Sequence, residues 1–266
     1  MSLENKFDNL KKFLKSLNSV AVAYSSGVDS TFLLKTAHDV LKENAIAITI
    51  KSSLFPQEEL NEAIDFCKKE NIKHIILDID VFKVAGFIEN PKDRCYICKK
   101  ELFKNVILKA NEFKISNILE GSNVDDLSDY RPGKKAIEEL KIISPLKDIG
   151  LTKKEIRILS DKLDLKTAKK QSMACLASRI PYGEIISIEK LNMIDKAEKI
   201  LKNIGFSCYR VRLHNNNLAR IEINPDEFDK LLELRDKISN SFKEIGFKYV
   251  ALDIQGYRTG AMNEVL

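Results

Sequence analysis

The chain has 266 residues, of which 44% are hydrophobic and 31% charged, and its formal net charge is +5. This composition is typical of a globular protein with one large or two modest domains, and it excludes a mini-protein held together by disulfides. Apolar runs such as residues 45–50 are too short to cross a bilayer, and the charged N-terminal residues show no signal-peptide pattern, so we expect a cytoplasmic protein without a membrane partner. The small positive charge, spread along the chain, suits a phosphorylated small molecule and gives little support to a nucleic-acid partner.

Short apolar segments alternate with helical patterns in the first 120 residues. Residues 19–24 predict a strand that ends in a tight loop, and apolar residues at helical spacing predict a helix over 29–41. The same alternation predicts further strands and helices, namely strands at 45–50, 74–79 and 116–120 and helices at 56–70 and 98–113. Strands that alternate with helices pair in parallel, so we predict a doubly wound α/β sheet.

The order of elements changes near residue 181. A long helical pattern over 187–203 is followed by two strands, 208–214 and 218–223, which three asparagines join as a hairpin. An Asn-Pro-Asp helix start at 224–226 predicts a helix to about residue 243, and residues 249–254 predict a last strand. We therefore predict two domains, with residues 1–180 forming the α/β domain and residues 181–266 a smaller α+β domain for substrate binding or oligomerisation.

Small and hydroxyl-bearing residues fill the turn between the first strand and the helix that follows it. They are Ser25, Ser26, Gly27, Val28, Asp29, Ser30 and Thr31. A helix N-terminus offers unpaired amide N–H groups and the positive end of the helix dipole, so this turn is a candidate site for phosphate. Neither the lysine of the G-x-x-x-x-G-K-[ST] loop nor the G-x-G-x-x-G pattern is present, which excludes those two kinds of nucleotide site. The alternative is a helix that a serine or an aspartate caps after a tight turn.

The five cysteines are an odd number in a reducing compartment, so thiolate chemistry or metal binding is favoured over disulfides. Cys95 and Cys98 are three residues apart, and cysteines at that spacing on a helix turn project to the same side. Two thiols cannot complete a structural zinc site, whereas the addition of Cys175 favours an iron–sulfur cluster with one open iron. The alternative is a pair of half-buried thiols, and Cys67 and Cys208 lie in contexts typical of core residues.

The Ser25–Thr31 segment resembles the SGGxDS signature of the pyrophosphate-loop ATP pyrophosphatase superfamily, with Ser26 in place of the first glycine. If this position needs a positive φ angle, a serine there is strained. The resemblance implies that ATP is split between its α and β phosphates, AMP is transferred to a substrate, and pyrophosphate is released. More closely, the chain resembles the LarE-type ATP-dependent sulfur transferases over nearly its whole length, through residues 125–126, 129–133, 174–183, 209–212 and 256–260.

The LarE-type resemblance implies an enzyme that helps to build a pyridinium bis-thiocarboxylic acid mononucleotide, the precursor of the nickel-pincer cofactor. The implied substrate is a pyridinium carboxylate with a ribose phosphate, which is adenylated by ATP with Mg²⁺ before sulfur enters. In members with one cysteine, the residue at the Cys175 position gives up its own sulfur. Members that also have cysteines at the Cys95 and Cys98 positions resemble 4Fe-4S enzymes supplied by a sulfide source. This chain has all three cysteines, so we expect the cluster-dependent variant, as a homo-oligomer, with sacrifice of Cys175 as the alternative.

The resemblance also suggests roles for residues close to Cys175 and in the second domain. Ser178 and Arg179 are candidates to hold the substrate phosphate or carboxylate, or else to pack the local turn. Arg210 and Arg212 alternate along a predicted strand and so share one face, where two guanidinium groups can hold one phosphate. A solvated strand face is the alternative for these two arginines.

Acidic residues and the end of the fourth strand supply the remaining candidates. Carboxylates of a second-domain site in related proteins match Glu198 and Asp229. Asp29 is expected to assist adenylation through Mg²⁺ or water, or else to cap its helix. Three residues follow the fourth strand at the carboxyl edge where such sheets bind ligands, and they are Gly121, Asn123 and Asp125.

Three other functions compete with a LarE-type activity. A tRNA thiolase would use the same adenylation and cysteines, but it predicts a basic or zinc-ribbon RNA-binding module that this sequence lacks. An amide-forming synthetase such as an NAD synthase needs no cysteine triad. A nucleotide-sensing protein would bind ATP without releasing pyrophosphate.

Overall fold

A computed structural model describes residues 1–128, 132–171 and 174–264 of the chain. The chain divides into two compact units, Met1–Val84 with Asp93–Met173, and Ala85–Lys92 with Ala174–Leu266. The predicted domain boundary between residues 180 and 181 stays a prediction, and in the structure residues 174–180 group with the second unit.

The first unit is built around a four-stranded sheet. Its strands are β1 (Val20–Ala23), β2 (Ala45–Lys51), β3 (His74–Asp78) and β4 (Ile118–Leu119). They lie in the order β3-β2-β1-β4, and every neighbouring pair is parallel. The helices are α1 (Leu3–Ser16), α2 (Val28–Leu41), α3 (Gln57–Lys69), α4 (Arg94–Glu112), α5 (Gly133–Glu139), α6 (Pro145–Asp148) and α7 (Lys153–Lys162).

Alternating side chains of β1 divide the first unit into two cores. Val20 and Val22 pack in one core with apolar residues of α1, α2 and α7, whereas Ala21 packs in the other with residues of α4. Successive side chains of a strand point to opposite faces, so helices cover both faces of the sheet. This arrangement confirms the predicted doubly wound α/β class.

Helices α1 and α7 have start signals that the sequence analysis did not use. The Ser2 hydroxyl accepts a hydrogen bond from Asn5 N at 3.2 Å and caps α1. Thr152 and Glu155 form a capping box at the start of α7, in which each side chain bonds the other residue's backbone N–H. Both helices are also amphipathic, because Leu10 and Leu14 of α1 and Ile156 of α7 are fully buried.

The second unit has a smaller sheet and three helices. Its elements are α8 (Ile188–Ile204), β5 (Tyr209–His214), β6 (Leu218–Ile223), α9 (Phe228–Glu233), α10 (Arg235–Ile245) and β7 (Tyr249–Leu252). β5 and β6 are antiparallel, as the asparagine turn predicts, and β7 pairs with β6 in parallel. The single helix predicted from residue 226 is wrong, because the chain breaks at Leu234, which ends α9 and precedes α10. The unit confirms a small α+β fold after the α/β domain.

Residues 85–92 join the second unit through Asn90, which is fully buried. Its side-chain amide donates to the carbonyl oxygens of Ile180 and Pro181 at 3.3 and 2.6 Å, and its own carbonyl accepts from Gly183 N at 2.9 Å. These bonds join residues that are at least 90 positions apart in the sequence, so no local pattern predicts them. Among the described residues, no helix combines the length and the apolar character needed to span a membrane.

Candidate functional site

The turn after β1 forms an open helix start in the first unit. α2 begins after Gly27, which provides no side-chain cap, so the first amide N–H groups of the helix have no capping hydroxyl or carboxylate. Ser25 is exposed, and its Oγ lies 3.2 Å from Ser30 Oγ, which also donates to Gly27 O at 3.2 Å. Ser25 and Ser30 thus form their contacts within the turn, and the uncapped N-terminus of α2 stays a candidate site for an anion.

Other residues of this turn serve the core rather than the surface. Val28 is 2% exposed and packs in the core with Phe32. Thr31 is fully buried, and its N–H donates to Gly27 O at 2.9 Å as the first bond of the helix. The Val28 side chain and the whole of Thr31 therefore face the protein, and a ligand role for Val28 is limited to its backbone amide.

Ser26 adopts the backbone conformation that the glycine of the family signature would favour. Its φ angle is +53°, in the left-handed region that side-chain-bearing residues seldom occupy. The side chain is buried, and its hydroxyl donates to Glu59, with Oγ lying 3.0 Å from the Glu59 carbonyl oxygen and 2.9 Å from Oε2. The serine is thus strained and also bonded.

The chain after β4 comes close to this turn. A Cβ atom added to Gly121 would lie 3.0 Å from Ser30 N, so only a glycine fits here without a shift of the α2 backbone. The buried Asn123 side chain donates to Asp29 Oδ1 at 3.2 Å. Gly121 and Asn123 therefore join the loop, as their position at the carboxyl edge of the sheet predicts.

Asp125 plays a different part in the fold. It is exposed, and its Oδ2 accepts a hydrogen bond from Lys153 N at 2.7 Å, at the start of α7. Its own N–H bonds Asn123 Oδ1 at 2.9 Å. These contacts make Asp125 a brace between the β4 loop and α7, and an ATP contact from this residue stays a prediction.

Two lysines that the sequence analysis missed lie against the loop. Lys153 Nζ bonds Asp29 Oδ2, and Lys170 Nζ donates to the Ser26 carbonyl oxygen at 3.1 Å. Burial raises the pKa of Asp29, and Lys153 opposes that shift. The capping box at Thr152 is a sequence signal that places Lys153 at a helix start, whereas no local pattern singles out Lys170 among the many lysines.

Cys95 and Cys98 lie near the start of α4. Cys98 is buried and Cys95 half-buried, one helical turn apart. Both cysteines therefore lie on one helix of the first unit, as their spacing of three residues suggests.

Cys175 lies in the second unit and begins a short 3-10 turn, Leu176–Arg179. Its carbonyl accepts hydrogen bonds from Ser178 Oγ at 2.8 Å and from the Arg179 guanidinium at 3.0 Å. Arg179 is fully buried and also donates two bonds of 2.9 Å to the Glu198 carboxylate. The guanidinium thus fixes the backbone of the cysteine turn, and a direct contact of Arg179 with substrate stays a prediction.

The two strand arginines are buried, so the solvated-face alternative does not describe them. Arg212 donates to both carboxylate oxygens of Glu222, at 2.9 and 2.7 Å, and to Ser178 O at 3.1 Å. Arg210 lies over the Tyr257 ring, 5.1 Å from its centroid, and burial with the nearby Arg179 charge lowers its pKa. Arg210 and Arg212 are therefore members, with Arg179, of a buried charged group.

Glu198 and Asp229 differ in their surroundings. Glu198 is buried and, besides Arg179, its Oε1 accepts from Val211 N at 3.1 Å. Asp229 is exposed on α9. Glu198 is thus part of the arginine group, and the paired role of Asp229 stays a prediction.

The residues present suit ATP and Mg²⁺ by their chemistry. The uncapped α2 amides offer N–H groups of the kind that bind phosphate oxygens, and Asp29 offers the carboxylate oxygen that Mg²⁺ prefers. Cysteine thiolates are the usual ligands of a 4Fe-4S cluster, and three of them would leave one iron open; two of the three candidates lie on one helix turn. Within the described ranges, however, no three or more His, Cys, Asp or Glu side chains are grouped as a metal site, so the fit of a cluster rests on donor chemistry alone.

Comparison with known proteins identifies the family. Over its whole length the chain is 33% identical to the pyridinium-3,5-bisthiocarboxylic acid mononucleotide synthase of Lactiplantibacillus plantarum, of which it covers 96%. The chain belongs to this LarE-type family. It is also 39% identical to an uncharacterised protein of Synechocystis, with 99% of both chains covered, and 34% identical to one of Methanocaldococcus jannaschii, with 95% of both covered. No family model matches the chain.

The residues that carry the LarE-type resemblance lie in both units. Residues 125–126 belong to the first unit, and residues 174–183, 209–212 and 256–260 belong to the second. Residues 129–131 of the Asp-Tyr-Arg-Pro-Gly motif lie outside the described part of the chain.

Proposed function

We propose that the chain is an ATP-dependent sulfur transferase that adenylates a carboxylate of a pyridinium mononucleotide and converts it to a thiocarboxylate. The Lactiplantibacillus relative is a pyridinium-3,5-bisthiocarboxylic acid mononucleotide synthase, which suggests the product class. This activity belongs to the synthesis of a nickel-pincer cofactor. The loop after β1 carries the proposal, because its open helix start is suited to a nucleotide triphosphate.

ATP would bind with its phosphates at the N-terminus of α2. The uncapped amides there point along the helix axis, and Gly121 keeps the neighbouring backbone free of a side chain. Asp29 is held in place by Asn123 and Lys153. A bound Mg²⁺ ion would supply further neutralisation of the phosphate charge at Asp29.

Adenylation makes the carboxylate reactive. A carboxylate oxygen attacks the α-phosphorus, the bond from that phosphorus to the bridging oxygen breaks, and pyrophosphate leaves with the electron pair. The loop amides stabilise the charge that develops on the departing phosphates. The product is an acyl adenylate, in which AMP is a far better leaving group than oxide.

Sulfur transfer then replaces AMP. A sulfur nucleophile attacks the acyl carbon, and AMP leaves with the electron pair. A 4Fe-4S cluster held by Cys95, Cys98 and Cys175 would supply a sulfide for this attack. Arg179 and Ser178 hold the backbone on which Cys175 sits, so the thiol has a fixed starting point for either cluster binding or direct attack.

Arg210 is the guanidinium that we assign to the phosphate of the mononucleotide. Arg179 and Arg212 each make a two-bond pair with a buried carboxylate, of Glu198 and Glu222 respectively. Arg210 is buried on β5 with its guanidinium over the Tyr257 ring, and burial together with the Arg179 charge lowers its pKa. An anion such as a phosphate beside Arg210 would oppose that shift, and a guanidinium can bind a phosphate through two N–H groups.

The test is reconstitution of the whole chain with iron and sulfide under anaerobic conditions, followed by MgATP and the pyridinium dicarboxylate mononucleotide. Pyrophosphate, the product and the intact protein are then measured by mass spectrometry. We expect pyrophosphate only when the carboxylate is present, a product in which sulfur replaces oxygen, and several turnovers with Cys175 unchanged.

Each alternative gives a different result. A single turnover with a protein lighter by hydrogen sulfide would show that Cys175 is the consumed donor. Formation of ADP, or no nucleotide cleavage with this carboxylate, would contradict the proposed activity. A matched Cys208→Ser variant, which keeps all three candidate thiols, should behave as the wild type.

A further inference from the structure

Lys170 reaches the Ser25–Gly27 turn from a distant part of the first unit. Its Nζ donates to Ser26 O at 3.1 Å and lies 3.2 Å from Ser26 Oγ. The same Nζ bonds Glu59 Oε2 at 2.6 Å and Glu62 Oε2 at 2.5 Å. These four acceptor atoms surround an ammonium group that has three N–H donors, so Lys170 bonds the protein rather than offering an N–H group to a phosphate.

Ser26 is held from two sides in an unfavourable conformation. Its positive φ angle of +53° is one that a glycine adopts freely and a serine rarely adopts. The Ser26 hydroxyl donates to Glu59 on α3, and both its carbonyl and its hydroxyl accept from Lys170. We call Ser26, Glu59, Glu62 and Lys170 the loop clamp.

The backbone that carries Lys170 is itself fixed. Arg157 of α7 donates from Nη2 to Lys170 O at 2.7 Å and from Nη1 to Ala168 O. The Lys170 side chain is only 17% exposed and Ser26 1% exposed. Charge-assisted bonds in such partly buried surroundings are stronger than those on an open surface, so the clamp can restrict the turn.

We propose that Lys170 and Glu59 are positioning residues that keep Ser26 in the left-handed conformation and so aim the amides at the start of α2 toward the phosphates of ATP. The inference rests on the proposed ATP site. It also assigns a purpose to the serine that replaces the family's glycine, because only a hydroxyl at this position can bond both Glu59 and Lys170.

Three variants separate the clamp from a general effect on folding. Lys170→Met removes the ammonium group and keeps most of the stem, and we expect the KM for ATP to rise about tenfold, as for a lost charge-assisted bond. kcat and the KM for the pyridinium carboxylate should change less than about twofold. Ser26→Ala keeps the strain without the hydroxyl and should act like Lys170→Met, whereas Ser26→Gly removes the strain and should stay within about threefold of the wild type.

A double variant tests the mechanism directly. In a Ser26→Gly background, Lys170→Met should raise the KM for ATP by less than about threefold, because glycine holds the conformation without help. Lys169→Met, an exchange at the exposed neighbouring lysine, is the matched control and should leave both KM values unchanged. ATP binding by calorimetry and thermal unfolding are measured for every variant.

Two kinds of failure can be told apart. If the wild type neither binds ATP nor releases pyrophosphate, the proposed function and the clamp both fall. If the wild type does both, equal ATP affinity of Lys170→Met and the wild type overturns the clamp, as does equal behaviour of Ser26→Ala and Ser26→Gly. The two Ser26 variants decide the question even where Lys170→Met lowers the melting temperature.

Discussion

The turn after β1 and the arginine group of the second unit both place polar groups in buried surroundings. They differ in whether the hydrogen-bond donors of those groups are already bonded within the protein. In the turn, the amides at the start of α2 have no side-chain cap, and a strained serine is braced by a lysine and a glutamate. In the arginine group, Arg179 and Arg212 donate hydrogen bonds to two glutamates and to carbonyl oxygens of the Cys175 turn. One region leaves donors for a ligand, and the other uses them to fix its own backbone.

The difference shows that residue type alone does not reveal the role of a side chain. An arginine beside a candidate nucleophile suggests substrate binding, yet Arg179 is fully buried and paired. Arg210, two positions from Arg212 on β5, lies over the Tyr257 ring, and burial together with the Arg179 charge lowers its pKa. For Arg179, the bonded partners and the burial indicate a residue that positions the surrounding backbone.

The largest expected effect concerns the arginine group of the second unit. Arg179→Met leaves Glu198 buried without its partner and removes the bonds to the Cys175 turn, so we expect a loss of about 3–5 kcal/mol in the free energy of unfolding. The double variant Arg179→Met with Glu198→Met should recover much of that loss, because no charge is then left unpaired. Denaturant unfolding measures both, and a single exchange that costs less than about 1 kcal/mol would mean that the pair resembles a surface ion pair.

The second prediction concerns the turn after β1, where we expect an exchange to lower the rate of pyrophosphate release more than the stability of the fold. Asp29→Asn keeps the size of the side chain and removes the charge beside Lys153, and we expect pyrophosphate release to fall on the order of 100-fold. Asp39→Asn is the matched control, since Asp39 lies on the same helix and pairs with Lys35 at 2.6 Å. If both exchanges reduced the rate equally, Asp29 would have no special part in adenylation.

A third, smaller effect tests how tightly the β4 loop packs on α2. Gly121→Ala places a Cβ 3.0 Å from Ser30 N, and such overpacking against backbone should cost about 1–3 kcal/mol of stability and raise the KM for ATP. Gly27→Ala is the control for stability, because its Cβ would lie 3.5 Å from Ser25 Oγ and its φ angle of −74° suits alanine. Equal unfolding free energies for the two variants would show that the close approach at Gly121 is not tight.

The smallest effect compares one histidine from each unit as the pH falls. Burial lowers the pKa of His74 and of His214, so the unfolded chain takes up the proton first. Stability that is present above a pH of about 6.5 should therefore be lost as the pH decreases. Both rings are partly exposed, so His74→Gln or His214→Gln should each reduce that loss by about 0.5 kcal/mol or less. If either variant lost more stability than the wild type as the pH decreased, that histidine would not have the lowered pKa inferred for it.

Much of the fold follows from the sequence because its signals are local. Alternating apolar strands and helical periods predict the parallel sheet and its helices, and the asparagine turn predicts the β5–β6 hairpin. The break at Leu234 was missed, since the flanking residues of α9 and α10 continue one helical pattern. The grouping of residues 85–92 with the second unit was missed because its bonds through Asn90 span 90 residues.

The candidate site likewise contains residues that the sequence predicts and residues that it does not. The loop, Gly121 and Asn123 are predictable because the carboxyl ends of parallel strands meet at one edge. Lys170 is not predictable, since its contact with Ser26 spans 144 residues and lysine has no distinctive local pattern. The pairing of Arg179 with Glu198 is likewise a product of packing, which turns a candidate substrate ligand into a brace for the Cys175 turn.

Phosphorus NMR of the nucleotide products tests the central claim most directly. With wild-type protein, MgATP and the pyridinium carboxylate mononucleotide, we predict AMP and pyrophosphate in equal amounts, and no nucleotide cleavage when the carboxylate is left out. Release of ADP and phosphate, or cleavage that is independent of the carboxylate, would contradict an adenylating loop after β1.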